Sequence, residues 1–167
     1  MLEDLGNLGD FVGGIAVVAT MIYLAIQIRQ NTRTMQTTSF QDLSDHHSNI
    51  LLAMMTDESM RQVLLLGRKQ AWSDMDDETR MQFGSMVMQQ MRSHFNAWTL
   101  FEAGMITEEQ RATFDVSLSR ILASKAFDEW WDHQGSAFPP AFREFVAARR
   151  RDPRVTWWAD EKHRDAE

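Results

Sequence analysis

"GDFVGGIAVVATMIYLAIQIRQNTR", residues 9–33, is unlike the rest of this 167-residue chain. From Phe11 to Ile28 it carries no charge, and its polar side chains are limited to Thr20, Tyr23 and Gln27. The core helix of a soluble domain turns one polar face to water; here the apolar character runs all the way round. As a helix, Phe11–Ile28 would measure about 27 Å at roughly 1.5 Å per residue. That is at the short end of what crosses a bilayer core about 30 Å thick. The segment therefore reads as one transmembrane helix.

Its flanks give an orientation. Glu3, Asp4 and Asp10 precede the span, whereas Arg29 and Arg33 follow it. Positive charge stays on the cytoplasmic side, so the short N-terminus is expected in the periplasm and the larger C-terminal part in the cytoplasm. The acidic leader and the lack of a small-residue cleavage site after the apolar run argue against a cleaved signal peptide. Asp10, at the outer edge of the span, suits a helix start.

The bulk composition narrows the rest. Seventeen basic against 24 acidic residues give a net charge of −7, which argues against nucleic acid as a partner, because phosphates require a basic face. The absence of cysteine excludes disulfides, thiolate metal sites and cysteine nucleophiles. Twelve methionines, three prolines, one tyrosine and no period-2 apolar runs point to an all-α chain. Residues 1–33 are expected to form the N-terminal segment and anchor, 34–151 a cytoplasmic helical domain, and 152–167 a polar tail.

A stripe of small residues runs along the anchor. Gly6, Gly9, Gly13, Ala16 and Thr20 are spaced 3, 4, 3 and 4 apart, and the count continues to Tyr23 and Gln27. Such a face lets a second helix approach closely, so homo-oligomerisation is expected. After Arg33 no proline or glycine interrupts the chain until Gly67. Phe40, Leu43, His47, Ile50 and Met54 again step 3, 4, 3, 4. Two readings of this second stripe stand side by side: a coiled coil continuing into the cytoplasm, or an amphipathic helix packed on its own domain.

Five further helices are expected. "TDESMRQVLLLG" has Thr56 or Asp57 as cap and Gly67 as stop. "WSDMDDETRMQF" opens a third helix capped by Ser73 or Asp74, with Gly84, Val87, Met88, Met91, Phe95, Trp98, Phe101 and Met105 facing the core and Gly104 ending it. "TEEQRATFDVSLSRIL" starts at Thr107 and turns Phe114, Leu118, Ile121 and Leu122 inward. A short helix over "SKAFDEWWDHQGSAF" closes at Gly135, and "PPAFREFVAARR" begins on prolines.

"YLAIQIRQNTR", "DESMRQVLLLG", "GMITEEQ", "KAFDEWW" and "FREFV" together resemble a family of small uncharacterised bacterial proteins. Its members have one N-terminal membrane helix and a helical cytoplasmic domain. The similarity extends to about Val146, and "IYLAIQIRQNT" is its most specific motif. The resemblance implies a bacterial inner-membrane location and carries no activity.

Chemistry-bearing clusters are sparse. Asp42, Asp45, His46 and His47 offer one carboxylate–imidazole face, too few ligands for a metal. Glu129, Asp132 and His133 resemble an acid–base group, but the double tryptophan Trp130–Trp131 between them reads as a packing anchor. Met88 and Met91 read as core rather than copper ligands. "DMDDE" is a helix start rather than a calcium loop. Arg149, Arg150, Arg151 and Arg154, with Trp157 and Trp158, could dock on an anionic leaflet or could complement a helix C-terminus. The expectation is a non-enzymatic single-pass protein without cofactor or metal. It would self-associate, touch membrane lipids and serve as scaffold or accessory subunit of a larger membrane complex. The alternative is a homo-oligomeric pore with Asp10, Thr20 and Gln27 on its axis.

Overall fold

The computed structural model describes residues 2–151, with side chains from residue 11 onward. The described residues contain no strand; they form α1 (Leu2–Thr56), α2 (Glu58–Lys69), α3 (Asp77–Glu102), α4 (Glu108–Ala112), α5 (Asp115–Leu122), α6 (Phe127–Gln134) and α7 (Pro140–Arg150). Single 3₁₀ turns lie at Trp72–Asp74 and Gly135–Ala137. This is the expected all-α arrangement of a long N-terminal helix followed by a small bundle. The chain divides into two compact units, Met1–Thr38 and Ser39–Glu167.

In the first unit α1 is alone. Every side chain from Phe11 to Met35 is exposed. In the second unit α1 behaves as an ordinary amphipathic helix. Leu43, His47 and Met54 are buried, and Phe40 and Ile50 are half-buried against the same core. The second stripe is thus satisfied within the chain, so its coiled-coil reading gives way to packing on the protein's own domain.

Two apolar clusters fill this unit. The larger joins Met54, Val63, Phe83, Met91, Leu118, Phe127, Trp130, Phe142 and Val146 from six helices. The smaller consists of Leu43, Ala97, Ile106 and Phe114. Trp130 is fully buried, and the Trp131 ring stacks on Phe138 at 5.5 Å. The tryptophan pair is a packing anchor, as the sequence implied.

The helix ends show which local signals act. Asp57 accepts from the Met60 amide, Asp76 from the Thr79 amide, and Thr107 forms a capping box with Gln110. Asp76, rather than Ser73 or Asp74, therefore caps α3, because the latter two are taken up in the 3₁₀ turn. At the other end Gly104 adopts φ +67°, and its amide and that of Met105 reach back to Phe101 and Leu100. This is a Schellman ending, in which a side chain on Gly104 would be strained.

The expected fourth helix is divided into α4 and α5. The Thr113 hydroxyl donates to the Gln110 carbonyl at 2.7 Å, and the amides of Thr113 and Phe114 tighten to i→i−3 bonds. Such back-bonding by a β-branched residue competes with the regular α ladder.

Gly67 does not stop α2, which runs on to Lys69. Its role is steric: a Cβ there would lie 2.1 Å from Cε2 of Phe83, a fully buried ring. The Gly67 carbonyl also accepts from the Ala126 amide at 3.0 Å, fixing the start of α6. Gly67→Ala should lower the unfolding free energy by about 1–3 kcal/mol through overpacking. Denaturant unfolding followed by tryptophan fluorescence measures this; an unshifted midpoint would show that Phe83 moves aside at no cost.

Candidate functional site

Three regions could carry function: the exposed apolar length of α1, a buried polar layer in the second unit, and a cleft on its surface.

Phe11, Val12, Ile15, Val18, Met21 and Ile22 are each more than half exposed. None of the apolar window in this helix is buried, and by length and composition it could cross a membrane. A Cβ built on Gly13 or Gly14 meets nothing within 4 Å. Ala16 and Thr20, on the same stripe as Gly13, are likewise exposed, and the Thr20 hydroxyl donates to the Ala16 carbonyl at 2.8 Å. Gly6, Gly9 and Asp10 fall where side chains lie outside the described residues.

The polar layer brings together residues far apart in sequence. His47 of α1 contacts Ser93 of α3 through Nδ1 at 3.0 Å and Ser117 of α5 through Nε2 at 2.9 Å. His94 Nε2 reaches the same Ser117 oxygen at 3.5 Å, and the two imidazole centroids are 5.4 Å apart. The Ser117 hydroxyl donates to the Phe114 carbonyl at 2.9 Å. Which nitrogen of each imidazole carries the proton follows from where the Ser117 hydroxyl hydrogen points. The group works as a polar bolt across three helices.

Burial sets the charge state of the bolt. Desolvation, with His47 adding a smaller repulsion, lowers the His94 pKa from 6.5 to about 3. Desolvation and then the adjacent His46 lower that of His47. Asp42, Asp45 and His46 are exposed on α1, and no group of three metal-capable side chains exists among the described residues.

The surface cleft has a volume of about 360 Å³ and is lined by Trp72, Ser73, Arg80, Glu129, Asp132 and His133. Most of its polar groups are already employed in holding the turn before α3. Arg80 donates to the carbonyls of Trp72, Ser73 and Met75. Glu129 accepts from the Ser73 amide at 2.8 Å, and this bond, ahead of the other influences, holds its carboxyl below the usual range. Glu129 is therefore a fixed carboxylate at neutral pH, unsuited to donating a proton.

The C-terminal arginines are also engaged. Arg149 lies 3.2 Å from Asp115, which Arg111 also contacts at 3.1 Å, and the Phe145 ring packs against both guanidinium groups. Arg150 pairs with Asp128, and Arg151 bonds the Ala147 carbonyl at 3.1 Å. Arg149 and Arg150 thereby tie α7 back to α5 and α6, which neither sequence reading named, while Arg151 bonds a carbonyl in the last turn of α7, in line with the helix C-terminus reading. Arg154, Trp157 and Trp158 lie outside the described residues.

Comparison with known proteins finds no matching family model, no matching curated protein and no matching solved structure.

The polar layer makes stability depend on pH in a defined direction. With both folded-state pKa values below the unfolded value of 6.5, the unfolded chain binds more protons as pH falls below about 6.5. Stability should thus be full above that value and decline progressively below it. His94→Gln, which keeps a donor for Ser117, should give a shallower decline. Parallel pH profiles of denaturant midpoint for variant and wild type would contradict the assignment.

Proposed function

We propose that this chain is a single-pass protein of the bacterial inner membrane that associates with copies of itself through the small-residue face of its spanning helix. In this reading the N-terminus lies in the periplasm, and the helical bundle serves in the cytoplasm as a scaffold or accessory subunit of a larger membrane assembly. The observation that carries the proposal is the complete exposure of the apolar length of α1. Moving its large side chains out of water is favourable by on the order of 10–20 kcal/mol in total, comparable with the whole stability of a domain. A bilayer supplies that environment, while the helix itself satisfies its backbone.

Self-association draws on the face at Gly13, where an added Cβ meets nothing within 4 Å among the described residues. Between lipid-exposed helices the attraction comes from close backbone approach, which small residues permit. The bundle contributes no catalytic constellation to this reading. Its buried polar groups are partnered, with no buried side-chain nitrogen or oxygen left unsatisfied among the described residues.

The test is the oligomeric state of the full chain in mild detergent, measured by light scattering after size exclusion. Wild type should form a defined oligomer, and Gly9→Leu with Gly13→Leu should shift it to monomer with the bundle intact by circular dichroism. An unchanged oligomer in the double variant would remove the small-residue face from the account.

A further inference from the structure

The membrane-proximal turns of α1 carry a feature that the self-association reading does not use. We propose that Arg29 and Arg33 form a binding site for the headgroup of an anionic phospholipid, resting on the reading of α1 as a spanning helix. They are the first charged residues after the uncharged run Phe11–Ile28, and no carboxylate occurs anywhere between residues 11 and 41. Four residues apart, they share one helix face, and both are exposed. Neither guanidinium meets a carboxylate or another hydrogen-bond acceptor among the described residues.

One open face of α1 carries Ala25, Ile28, Arg29, Thr32, Arg33 and Gln36. Its two ends differ in chemistry. Ala25 and Ile28 give an apolar surface on the side of the span, and the two guanidinium groups follow one turn beyond. The Thr32 hydroxyl donates to the Ile28 carbonyl at 3.0 Å, so the free donors come from the arginines. A phosphodiester bearing apolar tails matches this order: acyl chain against Ala25 and Ile28, phosphate between the guanidinium forks. Arginine suits the role because its planar donors engage phosphate oxygens in pairs.

The contrast with the other arginine cluster sharpens the assignment. Arg149 and Arg150 already have Asp115 and Asp128 as partners, and a lipid phosphate would have to displace those carboxylates. Among the described residues Arg29 and Arg33 have no such competitor. Lipid recognition is thereby assigned to Arg29 and Arg33 rather than to Arg149 and Arg150.

The experiment uses full-length protein in nanodiscs of mixed phosphatidylcholine and phosphatidylglycerol, released and weighed by native mass spectrometry. Wild type should retain phosphatidylglycerol in preference to phosphatidylcholine. Arg29→Gln with Arg33→Gln should reduce that retention on the order of tenfold, whereas Arg149→Gln with Arg150→Gln should leave it unchanged. Equal retention of the two lipids by wild type, or full retention by the Arg29/Arg33 variant, would overturn the site. Failure of the wild type to enter the discs would overturn the spanning reading and this site with it. A variant that enters the discs normally but loses the lipid separates the two.

Discussion

A helix with no polar face needs apolar surroundings on every side, and between Phe11 and Ile28 the described residues provide none. That constraint governs the division of the molecule. One uninterrupted helix, α1, meets two different demands along its length. From Phe11 to Met35 its side chains are exposed; from Phe40 onward the same helix buries Leu43, His47 and Met54 among its own neighbours. The change is encoded in pattern rather than in a break. Apolar residues all round give way to apolar residues at steps of three and four.

Within the second unit, the polar layer accounts for features that apolar packing alone leaves open. On α1 His47 falls between Leu43 of the smaller cluster and Met54 of the larger; on α3 His94 falls between Ala97 and Met91; on α5 Ser117 falls between Phe114 and Leu118. Apolar clusters are tolerant of sliding, because one methyl contact resembles another. Hydrogen bonds are not, and a shift of any of these helices by one turn would bury an imidazole without a partner. The layer thus pins the register of three helices, and it does so only while both imidazoles are neutral. Stability against acid and uniqueness of packing have the same origin here.

Much of this was legible in the sequence where the signal is local. The caps at Asp57 and Thr107, the Gly104 ending, the proline start of α7 and the inward residues Phe114, Leu118, Ile121 and Leu122 all follow from short-range rules. The departures have identifiable causes. Gly67 resembles a helix stop, yet its lack of a side chain serves Phe83, a neighbour no local rule reveals. The buried face of α3 includes Gln90, Ser93 and His94, which a count of apolar residues passes over. The polar layer joins positions 46 and 70 residues apart, so a single sequence offers only an interfacial histidine at His47 as a hint. The cleft beside Glu129 was legible as a cluster, but the amide of Ser73 that occupies its carboxylate was not.

The central claim is that the exposed length of α1 is covered by lipid. Alkaline carbonate extraction of membranes from cells expressing the full chain tests it most directly, because it strips peripheral proteins and leaves spanning ones behind. The account requires the protein to remain in the membrane pellet and to float with lipid on a density gradient. Release into the supernatant as a soluble species would mean that a protein surface, and not a bilayer, covers Phe11–Ile28.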